Sequence, residues 1–89
     1  MKEVILDCAV LTDRETLHQI LERELGFPSW YGRNLDALYD CLTEVHEPVQ
    51  ITLQNLDSLM NYGKKLLRVL QDAAVENENI HVLIEEAAD

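Results

Sequence analysis

Three short apolar runs constrain this chain more than any other feature: Val4–Leu6 extending through Cys8, the alternating Val49–Leu53, and Ile80–Ile84. Each is rich in β-branched residues and has the length of a strand. Between them the period changes. Leu17, Ile20, Leu21 and Leu25 recur at helical spacing, as do Leu35, Leu38, Cys41 and Leu42, and later Leu66, Val69, Leu70, Ala73 and Ala74. Strands joined through helical crossovers run in the same direction, with right-handed connections. The order β-α-α-β-α-α-β therefore predicts an α/β fold with a three-stranded parallel sheet and helices packed mainly on one face. The Val4 run reads as a buried strand. The partial alternation of Val49–Leu53 fits a sheet that is not equally covered on its two sides.

Local signals set the expected boundaries. Thr12-Asp13-Arg14-Glu15 reads as a capping box for the first helix, which Gly26 stops and Pro28 prevents from continuing. Asn34 is placed to N-cap a second helix running to about Thr43. A short helical turn is expected over Leu56–Met60, begun near Asn55, and an amphipathic helix from about Lys64 to Glu76. Asn77–Asn79 reads as a turn, and the tail from Glu85 to Asp89 is expected to fray. Neither a repeat nor a linker interrupts the pattern, so residues 1–89 are expected to form a single domain.

Apolar residues make up 47% of the chain, enough for a core built from Leu, Val, Ile and Ala. Seventeen acidic residues stand against seven basic ones, for a formal net charge of −10. Such a surface repels nucleic acid and anionic membranes and attracts basic partners. Cys8 ends a strand-like run and Cys41 lies within an apolar helical stripe, so both read as reduced core residues. They form no CxxC pair or Cys/His cluster of metal-binding spacing, and neither a metal nor a cofactor is expected. Met1–Cys8 is too short, and too soon interrupted by acids, for a signal peptide, and no stretch reaches the length of a membrane span. The expected compartment is the cytoplasm.

The acids become informative on the second helix. With about 100° per residue, Asp36 and Asp40 fall together on the side opposite Leu38, Cys41 and Leu42, with Thr43 between them and Tyr39 beside. Like charges at i and i+4 repel, and the helix holds no basic residue to relieve them. Asp36 suits the positive end of the helix dipole, but Asp40 sits near mid-helix and gains little from it. Trp30, Tyr31 and Gly32 immediately precede the helix. One of the two rings is expected to cap the core. A solvent-facing aromatic beside paired acids has the composition of an interface hot spot. A rigid helix displaying carboxylates could fill subsites in which Arg and Lys grip phosphate.

The segment Trp30-Tyr31-Gly32-Arg33-Asn34-Leu35-Asp36-Ala37-Leu38-Tyr39-Asp40-Cys41-Leu42 resembles the signature loop and helix of the barstar family. Leu17-His18-Gln19, Glu24-Leu25 and Pro28 are similar too, and the likeness weakens after Pro48. The family comprises intracellular inhibitors of barnase-like microbial ribonucleases with a three-stranded parallel sheet. The resemblance implies that the second helix and its leading loop enter the enzyme's active site. The candidate partner-binding residues are Trp30, Tyr31, Gly32, Asn34, Leu35, Asp36, Tyr39, Asp40 and Thr43, joined by Asp72 on the last helix. Asp40 would occupy the principal phosphate-binding position, with Asp36 in support.

The chain departs from the family pattern in several places. Tyr39 stands where the family pattern has Trp, and Trp30 where it has Tyr; Glu44-Val45 replaces a Gly-Trp pair; Arg33 puts a positive charge where the pattern has an acid. These changes point to a related ribonuclease or nuclease toxin with a different rim rather than to barnase itself. The implied partner is a basic microbial ribonuclease bound 1:1 by a chain that is monomeric when free, with no direct contact to nucleic acid or membrane. An enzyme is disfavoured, because His18, His46 and His81 are scattered and neither cysteine sits where it would be activated. The remaining alternative is an acidic adaptor for some other basic protein.

Overall fold

The computed structural model describes residues 1–11 and 13–85. In chain order it comprises β1 (Lys2–Asp7), α1 (Arg14–Leu25), α2 (Leu35–Thr43), β2 (Val49–Gln54), a 3₁₀ turn (Leu56–Leu59), α3 (Met60–Glu76) and β3 (Ile80–Glu85). The strands form one parallel sheet in the order β1-β2-β3. Thr12 and the tail beyond Glu85 lie outside the described residues.

The register explains which face is covered. Val4 pairs with Ile51, which pairs in turn with Val82, and Leu6 pairs with Leu53, which pairs with Ile84. Val4, Leu6, Val49, Ile51, Leu53 and Ile80 point into the core, where they meet Leu17 and Leu21 of α1, Leu38 and Leu42 of α2, and Leu66, Leu70 and Ala73 of α3. The opposite face carries the row Ile5–Thr52–Leu83. Thr52 is buried there, whereas Ile5 and Leu83 are exposed. The Val4 run is thus one-sided rather than wholly buried, because among the described residues no helix covers the second face.

Two helix starts differ from expectation. The cap of α1 is Asp13, not Thr12: the Asp13 carboxylate accepts from the Glu15 amide at 3.2 Å and from the Thr16 hydroxyl at 3.1 Å. Its end is as expected, with Gly26 in the left-handed region at φ 65°. The long helix begins at Met60, four residues before Lys64, so Gly63 lies inside it. Gly63 is buried, and a Cβ there would stand 2.8 Å from the Leu56 carbonyl oxygen. The glycine lets the 3₁₀ turn pack onto the first turns of α3 rather than marking a boundary.

The far end of α2 has no glycine cap. Asn77, just past α3, takes that role by donating to the carbonyls of Leu42 and Val45, each at 2.9 Å. Lys65 of α3 shares a groove with Leu35 and Asp36, at the other end of α2. The two helices therefore run side by side in the same direction, with their exposed faces forming one surface.

Candidate functional site

The α2 helix begins as the sequence predicts. The Asn34 Oδ1 atom accepts from the Ala37 amide at 2.8 Å, an N-cap that fixes where α2 starts. Leu38, Cys41 and Leu42 are buried, and Leu35 and Tyr39 are half-buried. Asp36 and Asp40 are both exposed, one turn apart on the outward side. Thr43 lies between them, but its hydroxyl donates back to the Asp40 carbonyl at 2.8 Å. Asp72 is exposed on α3, between Lys65 and Asn77, and stands 4.0 Å from Arg68.

The two aromatic residues of the loop separate. Trp30 is 63% exposed, beside Gly32 and Asn34, which are also exposed. Tyr31 is buried, so of the two rings it is the one that caps the core, and its side chain offers little surface for a contact. Its ring packs against Phe27 at a centroid distance of 4.9 Å, and its hydroxyl lies 2.5 Å from His18 Nδ1. The other His18 nitrogen, Nε2, is 2.6 Å from the Tyr62 hydroxyl on α3. A buried imidazole thus ties α1, the loop and α3 together. Burial holds the histidine below its usual range and pushes both phenols up. In each case the neutral form is favoured, as this hydrogen-bonded chain needs.

From sequence, His18 reads only as one of three scattered histidines, and this bracing role is not among the expectations. The signal was its phase, since 18, 21 and 25 share a helical stripe with buried Leu21.

Arg33 adopts a positive φ of 54° and folds back toward α1. Its Nε and Nη2 atoms lie 3.2 Å from Glu22 Oε1, and Nη1 lies 3.6 Å from Glu15. Two carboxylates therefore offset a charge that would otherwise oppose a basic partner. Burial raises both thiols, Cys8 and Cys41, which works against a reactive thiolate at either. Among the described residues no group of three or more acidic, histidine or cysteine side chains is arranged to hold a metal ion.

The one-sided parallel sheet thus carries two parallel helices that present carboxylates, with an exposed indole in the loop that leads into the first of them. The family model described as Barstar (barnase inhibitor) matches residues 1–85, and the chain belongs to that family. It is also similar to the Bacillus subtilis (strain 168) protein named "Putative ribonuclease inhibitor YrdF". The two are 38% identical over 91 residues, covering 96% of this chain and 100% of the relative.

Proposed function

We propose that this protein inhibits a barnase-like ribonuclease, either secreted or a toxin, by inserting α2 and its leading loop into the enzyme's cationic active site. One observation carries the reading: Asp36 and Asp40 stand exposed one turn apart, with no cation in their own helix, and an exposed indole stands in the braced loop that leads into it. Carboxylates set at fixed spacing on a helix take the place of substrate phosphates and accept charge-assisted hydrogen bonds from Arg and Lys. Trp30 and the half-buried Tyr39 and Leu35 supply apolar contact around them, and Asp72 extends the acidic face onto α3. Tyr31, in the core, contributes by holding the loop in shape. The net charge of −10 speeds encounter with a basic enzyme. In the cytoplasm, a 1:1 complex of this kind protects a cell from its own nuclease, the role of an immunity protein.

The test is RNA cleavage by a panel of guanyl-specific microbial ribonucleases, each with and without one equivalent of the chain. Inhibition of at least one enzyme supports the reading. No effect on any of them favours an acidic adaptor for a different basic protein.

A further inference from the structure

An otherwise acidic chain gathers three of its seven basic residues around one groove. The groove has a volume of about 470 Å³ and is bounded by Arg14, Arg33 and Lys65 together with Leu35, Asp36 and Tyr62. It adjoins the start of α2 and so borders the surface assigned above to the ribonuclease.

The three cations are held differently. Arg33 is engaged with Glu15 and Glu22. Arg14 lies over the Tyr62 ring, 4.3 Å from its centroid, and Tyr62 is itself anchored to buried His18. A cation–π contact of this kind consumes no carboxylate, so the guanidinium is still able to pair with one. Among the described residues, neither Arg14 nor Lys65 has a carboxylate within ion-pair distance. Two unpaired cations next to Asp36 oppose association with a uniformly basic surface. They favour it if something negative meets them.

We infer that this groove receives a carboxylate side chain on the rim of the ribonuclease's cleft, bound by Arg14 and Lys65 while Asp36 and Asp40 meet the cleft's cations. The inference rests on the inhibitor reading and identifies the partner more closely: an enzyme with an acidic group beside its phosphate-binding site. Alternating charge across the interface sets register. It also rejects basic nucleases whose rim is positive at that point.

The experiment uses the ribonuclease that the wild-type chain inhibits in the panel, and compares Lys65→Glu with Lys64→Glu. Lys64 lines a different groove with Asp57 and Met60, and its replacement changes the net charge by the same amount. Steering by net charge alone treats the two variants alike and makes both associate slightly faster. The inference requires Lys65→Glu to weaken inhibition about tenfold or more, mainly through faster dissociation, with Lys64→Glu unchanged or faster in association. Arg14→Gln gives a smaller loss of the same sign. Urea melts check the fold, and if Lys65→Glu does not fold, Lys65→Gln must show the weakening instead. Inhibition that is unchanged or tightened by the Lys65 variants overturns the inference alone, provided that Asp40→Ala still impairs binding. A wild-type chain that inhibits no enzyme in the panel overturns the inhibitor reading and this inference together.

Discussion

A hydrogen bond of 2.5 Å joins His18 on α1 to the hydroxyl of Tyr31, the neighbour of exposed Trp30. Through it, the loop that leads into α2 is braced from inside the core, and the next ring along is left outside. A neutral imidazole has one donor and one acceptor, so of Tyr31 and Tyr62 one donates to it and the other accepts. Protonation would require both ring nitrogens to donate, and the donating phenol would lose its acceptor in a buried site.

That chemistry gives stability a defined pH dependence. Burial lowers the folded pKa of His18, so the unfolded chain takes up this proton at the higher pH. The contribution of neutral His18 is fully present above about 6.5, the unfolded value, and is lost as the pH falls from there toward the folded value. Urea melts between pH 7.5 and pH 5.5 should show wild type losing more stability on acidification than His18→Gln. Equal losses would mean that His18 titrates alike in the folded and unfolded states.

Leu70 is fully buried on α3, where its side chain joins the core cluster under the sheet. Leu70→Ala should cost about 2–5 kcal/mol, from lost transfer free energy and the cavity left behind. A denaturation midpoint matching wild type would contradict the packing of α3.

Gly63 predicts the reverse of the usual helix rule. Replacing an interior helical glycine by alanine ordinarily stabilises by about 0.5–1 kcal/mol. Here the new methyl would meet the Leu56 carbonyl oxygen at 2.8 Å and the Leu59 Cβ at 3.1 Å. Overpacking of this kind costs roughly 1–3 kcal/mol, so Gly63→Ala should be a net destabilisation, read from its urea midpoint. A stabilised variant would show that the 3₁₀ turn moves aside at little cost.

The features legible in the sequence are the ones that depend on near neighbours. Asn34 and Gly26 act within a turn of their own positions, and both cap as expected. The strand runs and helical stripes likewise give the parallel sheet, because periodicity reports which side is buried. The start of α3 at Met60 goes unread because Gly63 lies inside the helix for a tertiary reason, its close approach to Leu56. Asn77 goes unread because the carbonyls it caps, those of Leu42 in α2 and Val45 just beyond it, lie 35 and 32 residues away in sequence. Trp30 and Tyr31 are adjacent aromatics, and which one turns inward is decided by tertiary partners, His18 and Phe27, that both meet Tyr31. Arg33 looks repulsive on paper and is offset by two acids of another helix.

Asp40 offers the sharpest test of the proposed site, because function and stability should move oppositely there. Removing its carboxylate would leave the partner's cations desolvated and unpaired, a larger loss than that of an ordinary surface pair. Asp40→Ala should therefore weaken binding by several kcal/mol. Asp36→Ala should cost less and Glu44→Ala almost nothing, since hot spots concentrate in a few central residues. Folding should be intact or slightly improved, because Asp36 loses a like-charged neighbour one turn away. Asp40 is exposed and its side chain makes no ion pair among the described residues, so no packing or pairing is forfeited. A merely solvated helix face would instead leave affinity untouched. Binding calorimetry with an inhibited ribonuclease and urea melts of the same variant measure the two halves separately. Unchanged affinity would remove Asp40 from the interface, whereas a severe loss of stability would make it a structural residue.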